Sequence, residues 1–391
     1  MLRERWVFVL AVLIGTACGR ISNREVAFCP GEAACPGRNP AIAHIRILQQ
    51  YGSRPRFSPS GANIVFDRKN DDGFYDVYLT DLEGAWLTAL TDGRPGVAQR
   101  NNGNATFHPD GSYIIFVSEA EEHFGDSLRS LGDSGVGLFS NLWVTDLRGE
   151  RFWRLTDIPI KHSLLDGVVS MAAVNPLFSP DGRTLLWTER YAPGGHHNWG
   201  LWRIKAADFV VGADGPSLEN ERPLFTHGTG TYVTAMDFLD ATTLILAGNL
   251  DGQHEYGMDQ YRFDLPTGEW VNLTDTPEVW EEDASVTPSG RIVLMTNAFS
   301  TYAFDFDDPN WPAQPMERDY VIMEGDGSQP SRLTYFNDPA TPEYTGRRVL
   351  VAASDVSPDG RLLAATLGFD FGGRRRNVVL KVALIEFVSP Q

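Results

Sequence analysis

Short apolar runs recur along this chain, each set directly after a tight polar turn. Ile64-Val-Phe66, Ile114-Ile-Phe-Val117, Leu185-Leu-Trp187, Ile292-Val-Leu-Met295 and Leu362-Leu-Ala-Ala365 are the runs. The turns before them are Phe57-Ser-Pro-Ser-Gly61, Phe107-His-Pro-Asp-Gly111, Phe178-Ser-Pro-Asp-Gly182, Val286-Thr-Pro-Ser-Gly290 and Val356-Ser-Pro-Asp-Gly360. Pro presets φ at the first turn position, Asp or Ser bonds the local backbone, and Gly supplies the positive φ that closes a short hairpin. Aromatic and β-branched residues alternating with polar ones predict strands throughout, and no stretch carries an amphipathic helical period.

Each unit continues in the same way. A third strand ends in a Thr-Asp-Leu-x-Gly corner (Val77–Gly84, Leu142–Gly149), and a fourth ends in Leu-Thr (Leu90-Thr91, Leu155-Thr156, Leu273-Thr274, Leu333-Thr334). Units open near residues 54, 104, 175, 235, 283 and 353; the fourth is degenerate, with Phe238-Leu-Asp-Ala-Thr242 in place of the motif. A four-stranded unit has two faces to bury and does so by stacking on its neighbours, which for radial stacking gives a closed ring. The predicted fold is all-β: a six-bladed β-propeller of four-stranded antiparallel blades. The final unit lacks a fourth strand, and residues 42–50 precede the first turn as the Leu-Thr strands precede later ones. That segment is expected to complete the last blade and close the ring, hiding two strand edges. Insertions at 118–139, 189–199, 208–222 and 302–318 are expected on loops.

These repeated pieces resemble the TolB-like β-propeller repeat, a relative of the WD-type repeats, over about residues 42–390. The resemblance implies a binding platform whose ligands or partner segments sit at the central funnel. In the family's namesake a separate α/β domain precedes the propeller; only about twenty residues lie between Cys18 and the first strand here, so the expectation is a propeller alone.

Composition changes this picture little. At 42% hydrophobic residues, with 38 Gly and 24 Pro among 391, the chain suits a turn-rich globular β protein. A formal charge of −18 repels phosphate backbones and anionic lipid headgroups, so nucleic acid is disfavoured and is not expected as a partner.

The N-terminus adds an address. Arg3 and Arg5, the apolar run Trp6–Ile14 and the small residues Gly15-Thr-Ala17 read as a signal peptide over residues 1–17. Cys18 follows at once, as in a bacterial lipobox, although Gly15 stands where Leu is usual; ordinary cleavage and an uncleaved anchor are the alternatives. Residues 18–41 then form a lipid-anchored linker, in which Cys29 and Cys35 read as a small disulfide loop, and residues 42–391 form the propeller. The expected location is exported, periplasmic or at the cell surface, with the lipid as the only membrane attachment.

Candidate chemistry is sparse. The turn residues Asp110, Asp181 and Asp359 and the corner residues Asp81 and Asp146 read as caps. No G-x-S-x-G elbow is present, and Gly132-Asp-Ser-Gly135 reads as a loop. His196 and His197 are weak metal candidates, without an acidic partner at a diagnostic spacing. Gly252–Gly257 reads as an exposed hairpin. The loop Glu278–Asp283, placed before the innermost strand of blade five, offers Trp280, Glu281, Glu282 and Asp283; its counterpart before blade two offers Arg100, Asn101 and Asn102. Together they predict a mixed-charge binding rim, against a competing reading as a solvated acidic loop. The functional expectation is a non-enzymatic envelope module that holds a protein, peptide or glycan, without a cofactor. The alternative is a funnel-based carbohydrate-active enzyme resembling oligogalacturonate lyases, with metal and histidine chemistry.

Overall fold

Strand follows strand outward from a common axis, because each apolar run can be buried on both faces only between neighbouring sheets. The computed structural model describes residues 26, 28–29, 35–121, 133–135, 137–158, 162–163, 168–169, 172–192, 200–227, 232–254, 256–302, 305, 314–372 and 377–391. β1 (Ile42–Gln49) comes first. Blade one is β2 (Ser53–Phe57), β3 (Asn63–Lys69), β4 (Tyr75–Asp81) and β5 (Leu87–Ala89). Blade two is β6 (Asn102–Phe107), β7 (Tyr113–Glu119), β8 (Ser140–Asp146) and β9 (Phe152–Arg154). A small hairpin, β10 (His162–Ser163) with β11 (Val168–Val169), precedes blade three: β12 (Ala172–Phe178), β13 (Thr184–Ala192), β14 (Leu201–Gly212) and β15 (Gly215–Thr226). Blade four is β16 (Val233–Asp240), β17 (Thr243–Gly248), β18 (Asp259–Asp264) and β19 (Trp270–Asn272). Blade five is β20 (Glu281–Val286), β21 (Ile292–Thr296), β22 (Asp319–Met323) and β23 (Ser331–Arg332). Blade six takes β24 (Val349–Val356), β25 (Leu362–Asp370) and β26 (Val378–Phe387) from the end of the chain and β1 from its start.

All pairings within the blades are antiparallel, and no helix occurs among the described residues. β1 lies against β26 from Ile42 opposite Phe387 to Gln49 opposite Val382, so the expected closure is the observed one. The innermost strands β2, β6, β12, β16, β20 and β24 touch one another in that order and back to β2, completing the ring.

Period-two alternation in each second strand sends successive side chains to different seams. Ile64 and Phe66 pack toward blade six, while Val65 packs toward blade two. Ile114 and Phe116 face blade one, and Ile115 and Val117 face blade three. The same division holds for Leu185 and Trp187 against Leu186, and for Ile292 and Leu294 against Val293 and Met295. The core is thus a circle of apolar seams rather than one central mass.

The turn motifs act as caps. Asp181 Oδ1 accepts from the Arg183 amide at 3.1 Å and from Ser179 Oγ at 2.7 Å, and these bonds hold its carboxyl below the usual range. Gly182 sits at φ 73°, as the hairpin requires. The Leu-Thr ends have a function too. Thr334 Oγ1 donates to Asp319 Oδ1 at 3.0 Å and accepts from the Tyr320 amide at 2.9 Å, tying the outermost strand to its neighbour. Thr91 with Asp76, Thr156 with Asn141 and Thr274 with Asp259 repeat this clasp.

Two loop expectations need correction. The insertion 208–222 is not a loop: it lengthens β14 and β15 to 12 residues each. Phe209 on the extension packs edge-on against Phe178 with ring centroids 5.1 Å apart, and Trp153 Nε1 of blade two donates to Asp214 O at 3.0 Å, so the extra strand has its own support. The segment around Gly252–Gly257 is not a simple exposed hairpin either. Tyr256 is buried and stacks on Trp280, with centroids 5.5 Å apart, and Gln253 Nε2 bonds Asp259 and the Tyr261 hydroxyl at 2.9 and 2.8 Å.

Up-and-down topology gives the ring two unlike ends. Every innermost strand starts at one end, here called the mouth. The connections between blades, and those between second and third strands, return to the mouth; most residues of the insertions expected at 118–139, 189–199 and 302–318 lie outside the described residues. The opposite end carries the hairpin turns and the Asp-Leu-x-Gly corners.

Candidate functional site at the axial mouth

Each innermost strand carries an extra residue relative to its partner, between Ser53 and Arg56, Gly103 and Thr106, Val174 and Leu177, Ala235 and Asp237, Glu282 and Ser285, and Val351 and Ser354, and β16 has a second between Phe238 and Asp240. Such a bulge re-aims a side chain that regular alternation would send elsewhere. In four blades the residue three places before the turn's apolar anchor lies in the left-handed region: Arg54 (φ 51°), Asn104 (52°), Asn175 (50°) and Asp283 (54°). None is a glycine, and the asparagines and aspartate are the types that best tolerate this conformation.

These side chains meet around the axis. Asn104 Nδ2 donates to Asn175 Oδ1 at 2.7 Å, and Asn175 Nδ2 to Thr234 Oγ1 at 2.8 Å, linking blades two, three and four. Arg54 Nη1 contacts Asp67 Oδ2 at 3.0 Å and Ser134 Oγ at 3.2 Å, and Ser134 Oγ donates to the same carboxylate oxygen at 2.9 Å. The Asn104 amide donates to both Asp67 oxygens at 2.9 Å. Burial pushes the Asp67 carboxyl up, opposed by the Arg54 guanidinium and these hydrogen bonds. The Gly132–Gly135 motif, read above as a loop, thus supplies Ser134, whose hydroxyl is bonded to Asp67 and Arg54.

Toward the opposite end, Asp237 Oδ2 accepts from the Val286 amide at 2.8 Å, joining blade four to five. Asp355 Oδ2 accepts from the Phe57 amide at 2.6 Å and Oδ1 from Arg56 Nη1 at 3.3 Å, joining six to one. Burial raises Asp355 to about 6, even with the Arg56 guanidinium beside it. These acids are ring fasteners.

Across the axis from Arg54 lies an acidic pair on β20. Trp280 is buried, its Nε1 donating to Glu282 Oε2 at 3.0 Å, and the Arg318 guanidinium stands 4.1 Å above its ring centroid. Burial first, then the neighbouring Asp283 carboxylate, raises Glu282 to about 7. Burial raises Asp283 as well, countered by Arg318, Arg54 and Arg56. Asp283 is half-buried, and its carboxylate accepts no hydrogen bond from the described residues. Its charge and that of Arg54 act on each other although their blades are not neighbours.

The residues singled out from the sequence fall into two groups on opposite sides of the ring. Trp280, Glu281, Glu282 and Asp283 come together on or beside β20, within the inner wall rather than in a solvated loop. Glu281 is buried and accepts from Thr276 Oγ1 at 3.0 Å. In blade two, Arg100 is half-buried with its Nη1 3.6 Å from Glu119, while Asn101 and Asn102 are buried. Asn101 Oδ1 accepts from the Tyr75 amide at 3.1 Å, and Asn102 Nδ2 donates to Ala98 O and Arg100 O at 2.8 Å, so both shape the loop. His196, His197 and Cys18 lie outside the described residues. Arg54, Asp67, Asn104, Asn175 and Arg318 were not singled out, and Ser134 was read only as part of a loop. A signal for some of them exists: aligned on Phe57, Phe107, Phe178 and Val286, the third residue before each is Arg54, Asn104, Asn175 and Asp283.

Among the described residues, no group of three or more His, Cys, Asp or Glu side chains is arranged to hold a metal ion. No protein-family model matches the chain. Among solved structures, TolB from Acinetobacter baumannii is similar with a TM-score of 0.50 and 14% identity, over 85% of this chain and 65% of that one. A gluconolactonase from Xanthomonas campestris is similar with a TM-score of 0.51 and 10% identity, over 93% and 97% of the two chains. An oligogalacturonate lyase from Vibrio parahaemolyticus reaches a TM-score of 0.49 at 12% identity, over 90% and 96%. This chain spans 65% of the Acinetobacter TolB chain, slightly under two thirds. The protein has the TolB-like six-bladed propeller fold. At these identities the likeness is one of fold, and a fold shared by many activities does not name one.

Proposed function

We propose that the protein is a non-enzymatic binding or scaffold module of the cell envelope, which holds a protein, peptide or glycan at the axial mouth. The observation that carries this reading is the inner wall itself: bulged strands place Arg54, Asn104, Asn175 and Asp283 at equivalent left-handed positions, Asn104 and Asn175 bond one another across blades, and Asp283 accepts no hydrogen bond from the described residues. A mixed polar surface of this kind orients a polar segment by hydrogen bonds and paired charges. The Cys29–Cys35 disulfide suits an exported chain, and residues 1–17 as signal peptide with acylated Cys18 supply the route and the anchor.

A photo-crosslinking amino acid at position 283, compared with one at Glu83 on the opposite end, tests the reading in native envelopes. Capture of a discrete partner from position 283 alone is the expected outcome. Equal capture from both ends would sink the mouth as the binding surface. A second reading rests on Glu282: a carboxyl raised to about 7 beside a second carboxylate has the pairing used by glycosidic general acids. Turnover of an oligosaccharide panel that disappears in Glu282→Gln would replace the first reading with this one.

A further inference from the structure

We infer that the mouth is held facing the membrane to which the chain is anchored, so that an occupant enters through the gap between propeller and bilayer. The inference rests on the acylation of Cys18 proposed above, and it concerns the direction in which the anchor leaves the fold.

Val26 and Phe28 are both buried. The Phe28 ring lies 5.6 Å from that of Phe336 and 5.9 Å from that of Phe369. Phe336 belongs to the connection between β23 and β24, and Phe369 is paired with Val349 at the start of β24, so both mark the mouth end of the seam between blades five and six. Further along the chain, Cys35 exchanges two backbone hydrogen bonds with Ile45, at 3.0 and 2.6 Å, partway along β1. The Arg38 amide donates to Glu343 Oε2 at 2.6 Å, and the disulfide ties Cys29 to Cys35. Ile42 opposes Phe387 at the far end of blade six, Cys35 lies beside Ile45 midway along β1, and Phe28 lies at the mouth end of the seam. The chain is fastened there by aromatic packing, two backbone bonds and a covalent link.

Only eight residue steps separate Val26 from Cys18. Fully extended they reach no more than roughly 28 Å. A seven-residue strand such as β3 or β7 is itself about 23 Å long, before its turns are added. A lipid on Cys18 therefore has no chain to spare for passing down the outside of the ring and presenting the opposite end to the bilayer. The chain's charge of −18 also disfavours anionic headgroups as the occupant of the mouth and keeps the ring off the surface itself.

The test uses full-length lipidated protein in phosphatidylethanolamine–phosphatidylglycerol vesicles that carry a headgroup-linked acceptor dye. A donor dye is placed on Glu278→Cys, exposed in the mouth connection between β19 and β20, or on Glu269→Cys, exposed in the opposite turn between β18 and β19. With Cys29 and Cys35 bridged and Cys18 acylated, the introduced thiol is the one that reacts. Energy transfer several-fold stronger from position 278 is the expected result, repeated by Tyr344→Cys against Glu83→Cys. Equal transfer, or stronger transfer from 269 and 83 on membrane-retained protein, overturns the orientation while leaving partner capture at the mouth standing. Protein that leaves the vesicles as Cys18→Ala does overturns the anchor and the orientation with it.

Discussion

Asp67 occupies a place on β3 that Val117, Ala247 and Met295 fill in the matching strands, and it is fully buried. A carboxylate in such a place persists because the Arg54 guanidinium, the Ser134 hydroxyl and the Asn104 amide all bond it. Removing one partner of a buried pair strands the other. Asp67→Ala is therefore expected to cost about 3–5 kcal/mol in urea unfolding, and Arg54→Met added to it to recover part of that loss. Glu282 sets a different test. Its folded-state pKa of about 7 lies above the ordinary carboxyl value of 4.5, so the folded state binds its proton more tightly than the unfolded state. That contribution is fully present below about pH 4.5 and is lost as pH rises through about 7. Urea midpoints at pH 5 and 8 should show wild type losing up to roughly 3 kcal/mol more than Glu282→Gln over that window. Of these residues the sequence reading isolated Glu282 and Asp283, because an acidic run beside a tryptophan stands out in one dimension. Arg54 and Asp67 did not stand out, because their meaning comes from a bulge and from blades stacked around an axis.

At the scale of elements, the repeated turns and apolar runs were legible because they serve local needs: positive φ at a glycine, and burial of both faces of a strand. The Leu-Thr endings were legible as a pattern but not as a device. In the structure the threonine joins the last strand to the one before it through a buried acid or amide. Thr334→Val keeps the shape but leaves Asp319 short of a donor and the Tyr320 amide without its acceptor. Its expected cost is about 1–3 kcal/mol, read from the chemical unfolding midpoint. The lengthened β14–β15 hairpin escaped the sequence reading because its outer strand, at Glu219–Arg222, is polar and exposed. It stands as a strand through Phe209 and Trp153 contacts with other elements, which no local pattern records.

For the whole molecule, ring closure was the most readable long-range feature: a missing final strand and a spare first one can satisfy each other. β1 covers the edge of β26 from Val382 to Phe387, with Ile45 fully buried. A chain lacking residues 1–50 is expected to expose that edge and elute as oligomers in size-exclusion chromatography, where the full chain gives its own single species. The direction in which the mouth points was not readable, since it depends on how residues 26–41 fold back along a seam.

Completing blade six with β1 has a further consequence, in time rather than space. The strand made of residues 42–49 waits for residues 378–387, the last of the ring's strands to be synthesised and, in an exported chain, the last of them to cross the membrane. Until then the first seam cannot form on one side, and the molecule is an open string of blades with an unpaired strand at its head. Non-local pairings of this span are slow to form and leave apolar surface uncovered meanwhile. The finished ring is thus a late event, and the stage most in need of a chaperone is the interval between emergence of β1 and arrival of β26.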